Sequence, residues 1–188
     1  MGNLASNVSA GKPKTTGAIW AAPKGTALPT DTSSALNAAF KCLGYCADDG
    51  LTNSTNLEST DIKAWGGDTV LNIQTSKDDT FKFKLLEVLN EDVAKFVYGS
   101  DNVSGTVETG LTIKANNKDV EEKALVIDMI MRDNTAKRVV LPVCKISEVG
   151  DIVYSDSDAV GYETTLKCMP DASGNTHYEY LLKATISG

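Results

Sequence analysis

The feature that most constrains the fold of this chain is a two-residue alternation of apolar and polar side chains that begins at Thr69. It runs through residues 69–75 (TVLNIQT) and again through residues 81–85 (FKFKL), with the polar tetrapeptide SKDD between them. Because side chains alternate between the two faces of a β-strand, this pattern is typical of a strand with one buried face. The two runs, with SKDD as their turn, predict an antiparallel hairpin.

The same alternation returns in the second half of the chain. Residues 125–132 and 138–149 predict two strands joined by the turn DNTAK, and residues 162–169 and 177–185 predict a final pair joined by PDASGN. Pro142 lies within one of these runs and cannot donate a backbone hydrogen bond, so we expect an edge or a bulge there. The chain is therefore predicted to be mainly β.

Helical signals are few. The segment NEDVAKFVYG predicts one helix, with Asn90 or Glu91 near its start and Gly99 at its end. A second short helix is predicted over residues 34–41, ending at Gly44. Short strands with so little helix favour a β-sandwich or barrel with one helix packed against it.

The chain has 188 residues, which suits one domain with additional flexible segments. We expect residues 1–17, rich in Gly, Ser, Asn and Lys, to form a flexible N-terminal arm, and residues 18–188 to form a single β-domain. Residues 45–68 form a long polar stretch before the first strong strand. We expect them to project as an extended loop or hairpin.

The sequence contains no arrangement of residues that predicts catalysis, a cofactor site or a metal site. His177 is the only histidine, and Cys42 and Cys46 are separated by three residues rather than the two of a redox or zinc motif. Cys144 and Cys168 lie in apolar surroundings, where a small buried thiol is expected. No apolar stretch is long enough to predict a membrane span. We therefore expect a protein that is not an enzyme, with no cofactor, no metal and no membrane contact.

The charge balance indicates which partners to expect. The net charge is -7, from 18 basic and 25 acidic residues. Because non-specific nucleic-acid binding depends on Lys and Arg neutralising phosphates, this balance argues against a general phosphate-binding surface.

Five segments, taken in order, resemble the major tail tube proteins of long-tailed, non-contractile bacteriophages. The likeness extends from about Gly17 to about Ala184, and the segments are GAIWAAPKGTALPTD, LNAAFKCLGYCADDGLT, IKAWGGDTV, FKFKLLEVLNEDVAKFVYG and VGDIVYSDSDAVGYETTLKCMPDASGNTHYEY. The resemblance implies a β-sandwich or barrel subunit that forms hexameric rings, which stack into a hollow tube through which the genome reaches the host cell. The fold is also similar to the inner tubes of contractile tails and type VI secretion systems.

The resemblance also implies partners and a location. The principal partner is the chain itself, followed by a tape measure protein and terminal tail proteins, while the genome passes through the lumen without specific binding. The protein would be made in the bacterial cytoplasm and reside in the virion tail.

On this reading, the polar stretch and the tryptophan beside two glycines are candidate contacts between subunits. Such a tryptophan needs a core, an interface or a ligand, and no converging polar chemistry suggests a ligand. The candidate interface residues are Thr52, Asn53, Ser54, Thr55, Asn56, Leu57, Glu58, Ser59, Trp65, Gly66 and Gly67.

Two other functions fit a mainly β chain. One is an extracellular adhesion or decoration module that binds a glycan or host protein through loops such as residues 151–161. The other is a small-ligand carrier built on a closed barrel, which the short, turn-rich strands support poorly. Light scattering of concentrated protein distinguishes an adhesion module, which stays monomeric, from a tube-forming subunit.

Overall fold

The structure, a computed structural model, describes residues 2–183. Strands make up 47% of the chain and helices 9%, which confirms the mainly β prediction. The strands are β1 (Lys12–Pro13), β2 (Ile19–Pro23), β3 (Lys41–Cys42), β4 (Cys46–Lys63), β5 (Thr69–Leu85), β6 (Val103–Ser104), β7 (Thr112–Ile113), β8 (Lys123–Ile130), β9 (Thr135–Val149), β10 (Tyr162–Met169) and β11 (Tyr178–Lys183). Helix α1 spans Glu91–Tyr98, and short 3-10 turns occupy Ala5–Asn7, Ser100–Asn102 and Arg132–Asn134.

Nine strands form one antiparallel sheet. Seven of them follow the order β3-β2-β8-β9-β10-β5-β4, while β1 pairs with β8 and β11 pairs with β9; β6 pairs separately with β7. β9 organises the sheet because both of its edges are paired. One edge pairs with β8, while the other pairs with β11 through residues 135–140 and with β10 through residues 143–149. β1 pairs with the end of β8, where Lys12 lies opposite Ile130.

Pro142 lies where β9 changes partner. The register with β8 moves from Leu125 opposite Leu141 to Lys123 opposite Cys144, which leaves one extra residue in β9. This irregularity accommodates a residue without a backbone N–H, as a bulge does. The prediction for Pro142 is confirmed.

Both faces of the central strands are buried. On one face, Ile127 of β8 and Leu141 of β9 belong to the main core, where Phe83 of β5 and Phe96 of α1 stack with ring centroids 6.5 Å apart. On the other face, Val126 and Val140 pack with Phe40 in a second cluster. The helix therefore covers one face of the sheet, as predicted for a β-fold with one packed helix.

Helix α1 has the N-terminal cap and the C-terminal glycine that its sequence predicts. The Asn90 side chain accepts a hydrogen bond from the Asp92 amide at 3.0 Å and caps the N-terminus. Gly99 follows the last turn with φ 89°, a value that favours glycine. Val93, Phe96 and Val97 are buried on one side, so this prediction is confirmed.

The predicted helix over residues 34–41 is wrong. The Asp31 carboxylate accepts hydrogen bonds from the Ser33 and Ser34 amides at 2.7 and 2.5 Å, which folds the chain into a local turn. The Arg138 guanidinium then donates to the carbonyls of Asp31 and Ser34 at 3.0 and 2.8 Å. In a helix these carbonyls would accept hydrogen bonds from backbone amides four residues later. Here they accept hydrogen bonds from a side chain of β9.

The predicted hairpin with SKDD as its turn is also wrong. Residues 69–85 form one continuous strand, β5, which pairs with β4 along its length and with β10 over residues 79–85. SKDD contains none of the Gly or Asn residues that tight hairpin turns favour, and its Ser76 hydroxyl instead donates to Glu58 across the ladder at 3.0 Å. The chain reverses earlier, between β4 and β5, where two glycines have positive φ angles.

Smaller differences concern the ends of elements. The turn predicted at residues 133–137 occupies residues 131–134, because Asp133 and Asn134 take the positive φ angles that the reversal requires. The last predicted strand is present as β11, and its expected final residues, 184–185, lie outside the described residues. The flexibility of residues 1–17 and the single domain over residues 18–188 stay predictions.

Candidate functional site on the distal ribbon

The β4–β5 hairpin extends well beyond the body of the sheet. Residues 79–85 of β5 pair with β4 on one edge and β10 on the other, but residues 69–78 pair only with β4. We call residues 56–78 the distal ribbon, since its two strands pair only with each other. Ten residues of strand rise by about 30 Å, a span comparable to the diameter of a small domain.

The distal ribbon ends in a tight turn that presents Trp65 to solvent. The Ala64 amide donates to the Asp68 carbonyl at 2.8 Å, and the Gly67 amide donates to the Ala64 carbonyl at 3.0 Å. Gly66 and Gly67 have φ angles of 117° and 102°, which a side chain rarely tolerates. The relative exposure of Trp65 is 107%, so this tryptophan contacts no core of its own chain.

One face of the distal ribbon carries four polar side chains, three of which hydrogen-bond to one another. Ser59 lies opposite Gln74, and Asp61 lies opposite Asn72. The Asn72 side-chain amide donates to the Ser59 hydroxyl at 3.1 Å and to the Asp61 carboxylate at 2.6 Å. We call these four residues the polar face, since opposed residues of an antiparallel pair share one side.

The other face is apolar and uncovered. Ile62 lies opposite Leu71, and Thr60 lies opposite Ile73. Ile62, Leu71 and Ile73 are 45%, 52% and 45% exposed, although these side chains usually lie inside a protein. We call Thr60, Ile62, Leu71 and Ile73 the apolar face. Together with Trp65, it forms the type of exposed apolar patch that marks an interaction surface.

The root of the distal ribbon is fixed by a buried carboxylate. Asp79 is fully buried, and its oxygens accept hydrogen bonds from four side chains of the neighbouring strand and of the segment before β11. The donors are Asn53 at 2.8 Å, Thr55 at 3.1 Å, Thr176 at 2.8 Å and His177 through Nδ1 at 2.5 Å. This network attaches the ribbon to the body of the sheet and to the C-terminal segment.

The environment of Asp79 favours its charged form. Burial raises the pKa of this carboxyl, but the hydrogen bonds from Asn53, Thr176 and His177 and the charge of His177 outweigh it and leave the pKa below its ordinary value. The His177 ring also meets Phe81 edge to face, with centroids 5.5 Å apart. The only histidine of the chain therefore has a structural position beside a buried acid.

The structure places the predicted site residues on one hairpin, at three different positions along its length. Thr52–Thr55 lie at the root, where Asn53 and Thr55 bind Asp79. Asn56–Ser59 begin the distal ribbon, and Trp65–Gly67 form its tip. Residues 45–68 thus supply β4 and the turn, and their place between subunits stays a prediction.

The sequence pattern does not indicate two features of this site, the exposed apolar face and the buried Asp79. The alternation in residues 69–75 predicts a face buried in the chain's own core, whereas the structure leaves this face exposed. The turn predicted at SKDD contains Asp79, and nothing near it in sequence indicates a buried acid. The signal that could have located the apolar face is the polar sequence of residues 52–61, because a strand paired with it adds few apolar side chains from which a core could form.

The remaining surface features do not indicate a reactive site. A groove of about 640 Å³ lies between the N-terminal segment and the start of β4, lined in part by Lys12, Cys42, Tyr45 and Met129. Within residues 2–183, no three His, Cys, Asp or Glu side chains are grouped so as to hold a metal ion. In the same part of the chain, no helix has the length and apolar character to cross a membrane.

Comparison with known proteins places the chain in a protein family. A family model described as phage tail tube protein matches residues 5–187, which is nearly the whole chain. No curated protein matches it.

Proposed function

The chain belongs to the phage tail tube protein family, and from this premise we propose that its copies close into hexameric rings that stack into the tube of a long, non-contractile tail. Membership implies a structural component of the virion tail that assembles with itself into a tube. A tube of stacked rings needs a contact within each ring and a second contact along the axis. The distal ribbon supplies the axial contact, and its tip reaches the next ring.

The observation that carries this proposal is the uncovered apolar face. Ile62, Leu71, Ile73 and the ring of Trp65 are exposed in the single chain, and the hydrogen-bonded residues of the polar face lie on the other side of the ribbon. A two-stranded ribbon is at best marginally stable in water by itself, so packing against another subunit stabilises both the ribbon and the assembly. A ribbon of about 30 Å projects far enough from the body of its own sheet to contact another subunit.

The root of the ribbon favours the same function. Asp79 holds the two strands and the C-terminal segment together through four hydrogen-bonded side chains. A ribbon with a fixed root loses less conformational freedom when it binds, which increases affinity. The predicted residues Asn53 and Thr55 therefore act through Asp79, while Trp65 makes the contact.

The charge of the chain suits a conduit for DNA. The net charge of -7 disfavours general phosphate binding, so the genome slides through the lumen without being held. Purified tubes should not retain duplex DNA at moderate salt. Submicromolar retention that is independent of DNA sequence would contradict this part of the proposal.

The family also suggests the remaining partners. A tape measure protein inside the tube and terminal proteins at its ends complete the tail, and the protein is made in the cytoplasm of the host bacterium. A pull-down with tubes from infected cells and mass spectrometry would identify these partners. Recovery of tubes without any second tail protein would argue against them.

The experiment that tests the axial contact removes the distal ribbon and keeps its root. Residues 56–78 are replaced by Asn-Gly, which forms tight hairpin turns and here joins Thr55 to the opposite Asp79. The shortened chain should remain folded, as circular dichroism and thermal unfolding would show, but should form no tubes in negative-stain micrographs. The matched control is Gln74→Ala on the polar face, which should still form tubes. Tubes formed by the shortened chain would overturn the proposal.

A further inference from the structure

Two cysteines lie directly opposite each other in neighbouring strands. Cys144 of β9 pairs with Cys168 of β10 in an antiparallel register. Opposed residues in such a ladder have Cα atoms about 4.5 or 5.5 Å apart, depending on the type of pair. Both distances fall within the range of about 4.4–6.8 Å that a disulfide bond spans.

The two side chains share one face and one environment. Both belong to the main core, where Cys144 is 0% and Cys168 is 5% exposed. The Cβ atoms of opposed residues are about 4.5–5.5 Å apart, and a disulfide brings them to about 3.5–4.5 Å, so a small approach of the strands is sufficient. Both cysteines are free thiols in this structure.

We propose that Cys144 and Cys168 are a modification site, at which a peroxide converts the two thiols into a cross-strand disulfide between β9 and β10. Hydrogen peroxide is a small oxidant, and it meets Cys168 first because Cys168 is 5% exposed and Cys144 is 0% exposed. The Cys168 thiol gives a sulfenic acid and one water, and the Cys144 thiol then displaces the hydroxyl as a second water. Two thiols and one peroxide thus yield one disulfide and two waters.

The surroundings make this reaction slow and confine it to oxidising conditions. Burial raises the pKa of Cys168 to about 12 and raises the pKa of Cys144 well above its ordinary value. The thiolate is the reactive form, so both groups persist as thiols in a reducing cytoplasm. Peroxide exposure outside the cell would convert them over a longer time.

The bond would reinforce the support of the distal ribbon. β10 pairs with β9 on one edge and with β5 on the other, and Cys168 lies opposite Asp79. The disulfide closes the segment between residues 144 and 168, which contains the exposed loop before β10. Closing this segment restricts the unfolded chain, so the thermal midpoint should rise.

Tryptic mapping of the full chain tests the proposal. Cleavage after Lys and Arg places Cys144 in peptide 139–145 and Cys168 in peptide 168–183, whereas Cys42 and Cys46 remain together in peptide 42–63. After peroxide treatment and blocking of the remaining thiols, peptides 139–145 and 168–183 should appear joined, with the chain lighter by about 2 Da per bond. Reductant should separate the two peptides.

The Cys168→Ser and Cys144→Ser variants serve as controls, and neither should yield the joined peptide. If one variant fails to fold, the other and the wild-type map remain decisive. Cys144 and Cys168 recovered as separate blocked or sulfinic peptides after prolonged treatment would overturn the proposal. A link between either of them and Cys42 or Cys46 would also overturn it.

Discussion

Replacing Trp65 by alanine should weaken assembly and leave the single chain intact. A tryptophan side chain buries about 150–250 Å² of surface when it is fully covered. At about 25 cal/mol per Å², complete burial contributes roughly 4–6 kcal/mol, and burial of half the ring contributes about 2–3 kcal/mol. Since about 1.4 kcal/mol changes an equilibrium tenfold, burial of half the ring predicts that the critical concentration for tube formation rises roughly 30-fold to 140-fold.

The assay compares assembly with folding in the same preparations. Sedimentation across a concentration series gives the critical concentration, and urea unfolding below that concentration gives the stability of the single chain. Because Trp65 is fully exposed, Trp65→Ala should change the free energy of unfolding by less than about 0.5 kcal/mol.

Trp20, the only other tryptophan, provides the matched control. It packs against the second core cluster, and its indole N–H donates to the Gly17 carbonyl at 3.3 Å. Trp20→Ala should therefore destabilise the single chain by about 2–3 kcal/mol. An unchanged critical concentration for Trp65→Ala, or a loss of single-chain stability equal to that of Trp20→Ala, would refute the reasoning.

Two further predictions concern buried charges. Asp79 has a lowered pKa in the folded chain, so its stabilising contribution is present above the ordinary value of 3.8 and is lost as pH falls through the lower folded value. Asp79→Asn should cost about 1–3 kcal/mol at neutral pH and flatten the acid limb of stability measured by urea unfolding; an unchanged acid limb would contradict the assignment. Arg138 is buried and binds Asp128 through two hydrogen bonds of 2.7 and 2.9 Å, so Arg138→Ala should cost about 3 kcal/mol in thermal unfolding and expose the amides of residues 31–40 to hydrogen exchange. The double variant Arg138→Met with Asp128→Leu should recover most of that loss, and a double variant no more stable than Arg138→Ala would argue against the charge pair as the cause.

The sequence predicts those elements whose signals are local. Asn90 and Gly99 bound helix α1 because a cap and a positive φ angle depend on neighbouring residues. Pro142 marks a bulge because a missing N–H acts at its own position. β10 coincides with its prediction, residues 162–169, since one of its faces is buried and its alternation is regular.

The errors arise from contacts between residues distant in sequence. The segment after Asp31 is not helical because Arg138, 107 residues away, binds its carbonyls. β5 continues through SKDD because β4 pairs with it along its length, and the polar sequence of β4 gives no sign of a strand. The alternating pattern of residues 69–75 by itself predicts a buried face. That face is exposed because this part of β5 pairs only with β4 and lies beyond the body of the sheet.

A helical reconstruction of purified tubes by cryo-electron microscopy tests the central claim most directly, because it locates residues 56–78 relative to the ring boundary. We expect hollow tubes with six subunits per ring, in which each distal ribbon crosses the boundary and Trp65 is buried against a subunit of the next ring. A tube whose ribbons contact only their own ring, or in which Trp65 remains in solvent, would contradict the account.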